Sequence, residues 1–241
     1  MKGYPGRRLR PAQTFRKDDS CMSILNNQNI CIKGAIFDLD GTLLDSMSVW
    51  STMGSDYLRG RGIQPEEGLD SKFSSMSIAQ AAQYYIDNYH LPESTDEIIM
   101  DIDRTIEQFY FKQARLKPGV KAFLQALQEK GTVMCVATAT DRHLAHASLK
   151  RNGIIQYFKD IFTCNIVGAG KDEPLIYETA LACLGTEKSN TIIFEDAPHA
   201  LATAKKAGFI TACVYDEVFS DSWARMSQLS DYAIKNFNRA I

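Results

Sequence analysis

Apolar residues in the second half of this chain fall into short runs that alternate with segments of helical spacing. From residue 117 onward, runs of apolar residues are bounded by turn-forming residues, which is typical of strands buried on both faces. An earlier run at residues 30–37 has the same character. We predict strands at this run and at five later places, residues 132–138, 161–163, 191–194, 209–215 and 232–234.

The segments between these runs carry apolar residues three and four apart, which indicates helices. Most of them stop at or near a glycine, the residue that most often ends a helix. The predicted helices cover residues 120–127, 141–150, 174–184 and 197–207. Strands that alternate with helices favour a parallel sheet covered on both faces, so the predicted fold class is α/β with a doubly wound sheet.

Residues 46–116 interrupt this alternation with helical spacing alone. Apolar residues from Trp50 to Leu58 share one helical face, and a second helix is expected after Ser77 as its cap. Ser94 and Glu97 form a capping-box pattern ahead of a third helix that extends to Tyr110. We therefore predict a flexible tail at 1–28, a core domain at 29–46 and 116–241, and an inserted all-helical cap domain at 47–115.

The first residues of the chain are basic, polar and without a sustained apolar run. A secretory signal would need such a run after its basic residues, and here Ile24 and Leu25 give way to two asparagines. We expect a poorly ordered tail and hypothesise that the natural start is Met22. Detection of Met1 in the intact mass of the natively expressed protein would contradict that hypothesis.

The composition narrows the class of protein without naming it. Hydrophobic residues make up 45% and charged residues 23%, which is ordinary for a globular domain. The formal net charge of −2 gives no bulk attraction to nucleic acid or membrane, and no apolar run reaches the roughly 18 residues of a membrane span. The six cysteines lack zinc-site spacing, so we expect free thiols and a cytoplasmic protein.

Acidic residues follow two of the predicted strands directly. Asp38 and Asp40 come after the first strand, and Glu195 and Asp196 come at the end of another. In open parallel sheets ligands bind beyond the carboxyl ends of the strands, so these carboxylates should converge there. Close carboxylates repel each other, and a divalent cation relieves the repulsion. Hard oxygen ligands of this kind suit Mg²⁺.

Two further residues complete a set suited to phosphate chemistry. Thr138 ends a predicted strand and begins a loop with free backbone amides, and Lys171 offers a positive charge from a loop. A nucleophile, a cation and donors for phosphate oxygens are the parts that phosphoryl transfer requires.

The segment Phe37-Asp38-Leu39-Asp40-Gly41-Thr42-Leu43-Leu44-Asp45-Ser46 resembles the first signature of the haloacid dehalogenase superfamily. Thr138 resembles the second motif, Lys171 with the residues behind it the third, and Phe194-Glu195-Asp196-Ala197 the fourth. The resemblance covers roughly residues 30–236 and includes a helical cap between the first two motifs. It implies a Rossmann-like core and membership of the β-phosphoglucomutase-like or phosphatase branch of that superfamily.

The resemblance also implies roles for individual residues. Asp38 would attack phosphorus and form an aspartyl-phosphate, and Asp40 would act as acid and then as base. The Asp38 carboxylate, the Asp40 carbonyl and Asp196 would bind Mg²⁺, with Glu195 as a direct or water-mediated ligand. The phosphate oxygens would be held by Thr138, the Ala139 amide and Lys171. The chain departs from the usual motifs at Ala139 and in Lys171-Asp172-Glu173-Pro174-Leu175, although a backbone donor survives at the first of these positions.

From these parts we expect a Mg²⁺-dependent phosphatase of a small phosphate monoester, such as a sugar phosphate. The alternative is a phosphosugar mutase of the β-phosphoglucomutase type, which would use the same two aspartates. Thr42 and the lack of histidine in the early cap favour the phosphatase. Asp40 argues against a dehalogenase, the lack of lysine at 47–57 against a phosphonate hydrolase, and the full set of reactive residues against a phosphate-binding protein without activity.

Other conspicuous residues have simpler interpretations. We interpret Asp45 and Ser46 as structural and His199 as a surface residue of its helix. Trp50, Met53 and Tyr57 are interpreted as the core of the cap. The expected partner is a phosphorylated small molecule, not nucleic acid or membrane, and the expected state is a monomer or weak homo-oligomer.

Overall fold

The computed structural model describes residues 32–73, 76 and 78–240. The predicted tail at 1–28, the candidate start Met22 and the cap residue Ser77 lie outside the described residues. Among the described residues, none of the helices combines the length and apolar character that a membrane span requires.

Six parallel strands form the central sheet, in the spatial order β5-β4-β1-β6-β7-β8. This arrangement confirms the predicted fold class. The strands are β1 (Gly34–Phe37), β4 (Val133–Thr138), β5 (Phe158–Thr163), β6 (Thr191–Glu195), β7 (Ile210–Val214) and β8 (Tyr232–Ile234).

Helices connect these strands and cover both faces of the sheet. They are α5 (Val120–Glu129), α6 (Arg142–Arg151), α7 (Cys164–Val167), α8 (Leu175–Leu184), α9 (Pro198–Lys206) and α10 (Trp223–Leu229). The helices α5, α6, α8 and α9 lie where apolar spacing predicts them. The short α7, the 3-10 segment Glu217–Ser222 and α10 were not predicted, because their few buried residues set up no helical period.

Side chains of the central strands alternate between two apolar layers, as the period of a strand requires. Phe37 and Phe194 lie on one face of the sheet, where their rings stack with centroids 4.3 Å apart. Ile36 and Ile193 lie on the other face and pack against α8. Because both faces of the sheet are covered, the strand sequences are continuous apolar runs and do not alternate between apolar and polar residues.

Four helices separate the first strand from the rest of the sheet. They are α1 (Met47–Arg59), α2 (Leu69–Phe73), α3 (Ile78–Tyr89) and α4 (Thr95–Lys112). The predicted capping box at the start of α4 is confirmed, since Ser94 accepts from the Glu97 amide and the Glu97 carboxylate accepts from the Ser94 amide. We call residues 47–112 the helical insert. Its treatment as a separate domain bounded at 47 and 115 stays a prediction.

Two very short strands join the insert to the sheet. β2 (Leu44–Asp45) precedes α1 and pairs antiparallel with β3 (Arg115–Leu116), which follows α4. This pairing brings the two ends of the insert together beside the carboxyl end of β1. The segment that enters the insert contacts the residues that follow β1, since the Leu44 amide donates to the Leu39 carbonyl and the Gly41 amide donates to the Leu44 carbonyl.

Candidate active site

The carboxyl ends of β1, β4 and β6 meet at one edge of the sheet. Phe37 of β1 is paired with Val136 of β4 and Phe194 of β6. Asp38 is the next residue after β1, Thr138 ends β4 and Glu195 ends β6. The register therefore brings together side chains that are 100 and 157 residues apart from Asp38 in sequence. The expected convergence of acidic residues at the strand ends is what the structure shows.

Lys171 lies between two of these carboxylates. It is on the loop between α7 and α8, and its side chain is only 7% exposed. Its ammonium pairs with Oδ1 of Asp38 and donates to Oε1 of Glu195 at 2.7 Å. The Tyr177 hydroxyl, from α8, donates to the same Glu195 oxygen at 2.8 Å. A buried lysine at this position remains charged because two acidic partners surround it, which raises its pKa despite the opposing effect of burial.

Three buried carboxyl groups surround a space that fits a divalent cation. One oxygen from each of Asp38, Glu195 and Asp196 lies within 4.8 Å of the others. Within the part of the chain that the structure describes, Glu195 Oε2 and Asp196 Oδ2 are buried without a hydrogen-bond partner. Buried carboxylate oxygens without partners are costly, and three carboxylates face the single ammonium of Lys171. A doubly charged cation with oxygen ligands would satisfy both deficits.

Burial and crowding raise the pKa values of two of these acidic groups. Burial raises the pKa of Asp38 to about 6, against the lowering effect of Lys171. Burial and the Asp38 charge raise the pKa of Asp196 well above its usual range. In the absence of a cation these carboxyls therefore hold protons more tightly than exposed ones, and a metal ion must compete with those protons.

Glycine at position 41 keeps this space open. Gly41 has a φ of +76°, in the left-handed region that favours glycine, and its amide donates to the Leu44 carbonyl. A Cβ at this position would collide with Oδ2 of Asp196 and with the Met47 side chain. The turn after Asp40 thus needs a residue without a side chain both for its backbone conformation and for its closeness to Asp196.

The Asp40 carboxylate accepts hydrogen bonds from three hydroxyl groups. Ser46 and Tyr110 each donate to Oδ1 at 2.6 Å, and Thr140 donates to Oδ2 at 2.5 Å. Burial and the nearby Asp38 charge raise the pKa of Asp40, while the three hydroxyls oppose that rise. A carboxyl group that is partly buried and well anchored is suited to exchanging a proton at a fixed place.

The predicted phosphate-binding residues lie beside this carboxylate. Thr138 is buried, and its hydroxyl oxygen accepts from the Thr140 amide at 3.0 Å. Ala139 is exposed and lies between them. The third predicted residue, Lys171, contacts Asp38 itself. Phosphate binding by Thr138, Ala139 and Lys171 stays a prediction.

Four residues of this site were either missed in the sequence or given an interpretation that differs from their contacts in the structure. Ser46 was interpreted as structural, but it occupies the N-cap of α1 without capping it and donates to Asp40 instead. Tyr110 was placed among the apolar residues of its helix, and no sequence signal marked Thr140. Tyr177 lies among the residues behind Lys171 in the third motif, without a signal of its own.

The structure contradicts the interpretation of Trp50 from the sequence and agrees with that of His199. Trp50 was interpreted as core of the cap, which is wrong: it is 40% exposed, and its indole N–H donates to the Tyr110 hydroxyl at 3.3 Å. Trp50 lies in the first turn of α1. His199 is exposed on α9, as interpreted.

A doubly wound parallel sheet with a buried acidic cluster at its carboxyl edge defines an α/β protein with a candidate cation-binding active site. The family model of the haloacid dehalogenase-like hydrolases matches residues 35–214. The chain therefore belongs to the haloacid dehalogenase-like hydrolase family.

Individual relatives agree with this assignment. The chain is similar to validoxylamine A 7'-phosphate phosphatase of Streptomyces hygroscopicus subsp. limoneus, with 28% identity over 73% of this chain and 82% of that protein. It is similar to hexitol phosphatase A of Escherichia coli K12, with 28% identity over 73% of this chain and 80% of that one. The fold resembles that of a HAD hydrolase of family IA, variant 3, from Entamoeba histolytica, with a TM-score of 0.70, 21% identity and coverage of 86% and 94%.

Proposed function

We propose that this chain is a Mg²⁺-dependent phosphatase that hydrolyses a small phosphate monoester through an aspartyl-phosphate on Asp38. The observation that carries the proposal is the placement of Asp38 beside both Lys171 and the Glu195–Asp196 pair, next to a separately anchored Asp40. This set supplies a nucleophile, charge compensation and an acid–base group at one strand edge.

The residues around the acidic cluster fit Mg²⁺. The Asp38 and Asp196 carboxylates and the Asp40 backbone carbonyl would hold the ion, with Glu195 as a direct or water-mediated ligand. The unpartnered oxygens of Glu195 and Asp196 support this assignment. When bound, the ion would offset the negative charge of the phosphoryl group and of the nucleophile.

The first half of the reaction transfers the phosphoryl group to the protein. A carboxylate oxygen of Asp38 attacks phosphorus and forms a P–O bond, while the bond from phosphorus to the ester oxygen breaks. The leaving oxygen takes the proton of Asp40 and departs as an alcohol. Lys171, Thr138 and the Ala139 amide hold the phosphate oxygens during this step.

The second half releases inorganic phosphate. Asp40, now a carboxylate, takes a proton from water as that water attacks the aspartyl-phosphate. The bond between phosphorus and the Asp38 oxygen then breaks, which restores both aspartates to their starting states. The sum of the two halves is the hydrolysis of one ester to one alcohol and one phosphate.

The substrate class follows from the relatives and from the position of the insert. Two relatives are named as phosphatases of validoxylamine A 7'-phosphate and of hexitols, so a phosphorylated sugar, sugar alcohol or similar metabolite is the proposed substrate. The helical insert reaches the site through Tyr110 and Trp50. We assign to it the role of a cap that excludes bulk water and selects the alcohol.

Phosphate release from a panel of sugar and sugar-alcohol phosphates tests the proposal, with Mg²⁺ and with EDTA. We expect Mg²⁺-dependent release from a few members and loss of at least about 10³-fold in Asp38→Asn, because the amide cannot act as the nucleophile. Asp45→Asn removes an exposed carboxyl from β2 and is the matched control. An isomerised sugar phosphate as the product would identify a mutase instead, and no turnover of any member would contradict the proposal.

A further inference from the structure

The two oxygens of Asp40 are held unequally. Oδ1 receives two hydrogen bonds, from Ser46 and Tyr110, both at 2.6 Å. Oδ2 receives one, from Thr140 at 2.5 Å. The three donors come from different parts of the chain: Ser46 precedes α1, Thr140 follows β4, and Tyr110 belongs to α4 of the helical insert. Among the described residues of the insert, the Tyr110 phenol is the group that hydrogen-bonds the Asp40 side chain.

The direction of the Tyr110 hydrogen bond follows from its other neighbours. The indole nitrogen of Trp50 can only donate, so its 3.3 Å contact makes the phenol oxygen an acceptor on that side. The Asp40 carboxylate, when ionised, can only accept. The single phenol proton of Tyr110 is therefore directed to Oδ1. Thr140 lies 3.3 Å from the phenol oxygen, but its own proton is already directed to Oδ2.

Tyr110 is held rigidly enough to fix this oxygen. Its side chain is fully buried, and its ring packs edge-on against Phe109. Residues on both sides of Tyr110 contact α6 of the core: Glu107 lies 3.4 Å from His143, and the Phe111 ring lies edge-on to the His143 ring. The phenol oxygen also lies within hydrogen-bonding distance of Trp50 and Thr140, so it can hold Oδ1 at a set position.

We propose that Tyr110 is the positioning residue through which the helical insert anchors Oδ1 of Asp40, leaving Oδ2 as the oxygen that exchanges the proton. This inference rests on the proposed function, because it concerns the acid–base step of that reaction. Oδ1 is occupied by two donors and stays an acceptor. Oδ2 has one partner, the Thr140 hydroxyl, which can rotate to accept a proton rather than give one. The proton passed to the leaving oxygen, and later taken from water, is thus carried by Oδ2.

The chemistry of the leaving group gives a specific test. An alkyl alcohol is a poor leaving group and needs the proton of Asp40, whereas p-nitrophenolate departs readily without one. The parameter kcat/KM reports the steps up to departure of the alcohol and excludes the later hydrolysis of the aspartyl-phosphate. Misplacement of Asp40 should therefore lower kcat/KM for an alkyl phosphate and spare that for an aryl phosphate.

The experiment compares Tyr110→Phe with wild type on sorbitol 6-phosphate and on p-nitrophenyl phosphate. The variant keeps the buried ring and loses only the hydroxyl. We expect kcat/KM to fall about 10- to 100-fold for the alkyl ester, the worth of one hydrogen bond to a charged group, and to stay within about threefold for the aryl ester. KM should change little, because Tyr110 is not one of the residues proposed to bind the phosphate.

Tyr57→Phe is the matched control, since it removes a buried tyrosine hydroxyl of the insert that has no hydrogen-bond partner among the described residues. It should change neither substrate's kcat/KM. An equal loss on both esters in Tyr110→Phe would show a structural role and overturn the inference, as would no loss on either. Wild-type protein that releases phosphate from neither ester would instead contradict the proposed function itself.

Discussion

Nζ of Lys171 lies 2.7 Å from Oε1 of Glu195, and neither side chain is more than 7% exposed. The same ammonium pairs with Asp38, so one buried cation serves two buried carboxylates. Lys171 is therefore as much a part of the folded protein's charge balance as of its proposed phosphate site. Its removal would leave uncompensated charge in a place from which water is excluded.

Replacement of Lys171 by methionine should destabilise the metal-free protein. Methionine has a similar length but leaves Asp38 and Glu195 without their cation, and breaking a buried ion pair from one side costs about 3–5 kcal/mol. Urea unfolding in EDTA at neutral pH measures the change. Lys188→Met is the control, because Lys188 forms a comparable 2.6 Å pair with Glu178 that is more than a third exposed. That loss should stay below about 1 kcal/mol. Equal losses in the two variants would contradict the assignment of buried charge balance to Lys171.

The raised pKa of Asp38 predicts how the stability of the metal-free protein depends on pH. The folded state keeps the Asp38 proton up to about pH 6, whereas the unfolded chain releases it near 3.8. At Asp38 the folded state thus binds more protons in this window, and the contribution of Asp38 to wild-type stability falls as the pH rises through it. Asp38→Asn has no proton to lose there. Urea unfolding in EDTA at pH 4.5, 5.5 and 7 should show its stability rising relative to wild type as the pH increases.

The control for this experiment is Asp45→Asn, which removes a carboxyl that is exposed on β2. Its stability relative to wild type should follow no such trend. A constant difference between Asp38→Asn and wild type at all three pH values would show that Asp38 does not bear a raised pKa in the folded protein.

Mg²⁺ should stabilise the folded protein, independently of any turnover. A ligand that binds only the folded state adds about 2.7 kcal/mol at one hundred times its dissociation constant. The thermal midpoint should therefore rise with added MgCl₂, and Asp196→Asn should abolish most of that rise by replacing an oxygen that has no hydrogen-bond partner within the described part of the chain. Asp103→Asn, at an exposed position of α4, should retain it. The same rise in Asp196→Asn as in wild type would remove Asp196 from the metal site.

Sequence patterns were sufficient for the sheet and for the charged residues at its edge. Buried parallel strands need unbroken apolar runs, and carboxylates that directly follow such runs stand out, as Asp38 and Glu195 do. The rule that strand ends share one edge then brings them together without knowledge of the strand order. The interruption by helical spacing at 46–116 was equally visible, since no apolar run of the strand type occurs within it.

The hydroxyl groups around Asp40 were not predictable in the same way. Tyr110 occupies an apolar position of its helix, and only the packing of α4 on the core directs its phenol to Asp40. Trp50 likewise reads as an apolar helix position, yet the insert leaves it 40% exposed. Contacts between the insert and the sheet depend on how these two parts of the chain pack together. The spacing of apolar residues within one helix or strand does not predict that packing.

Gly41 offers a test of how closely the turn after Asp40 is fitted to the acidic cluster. Gly41→Ala forces a residue with a Cβ into a left-handed conformation, at a cost of about 1–2 kcal/mol, and directs that Cβ at the Asp196 carboxylate. Gly68→Ala isolates the first effect, because Gly68 has a φ of +78° with nothing within 4 Å of the added Cβ.

Both variants should therefore lose stability. Only Gly41→Ala should also weaken the stabilisation by Mg²⁺ and lower the rate of phosphate release by at least about tenfold, because displacement of a site residue by as little as 1 Å is costly. Thermal melts with and without MgCl₂, together with phosphate release, measure these outcomes. A normal Mg²⁺ response and normal activity in Gly41→Ala would mean that the Asp196 carboxylate moves aside without consequence. The position of Asp196 in the structure would then not be the one that the reaction requires.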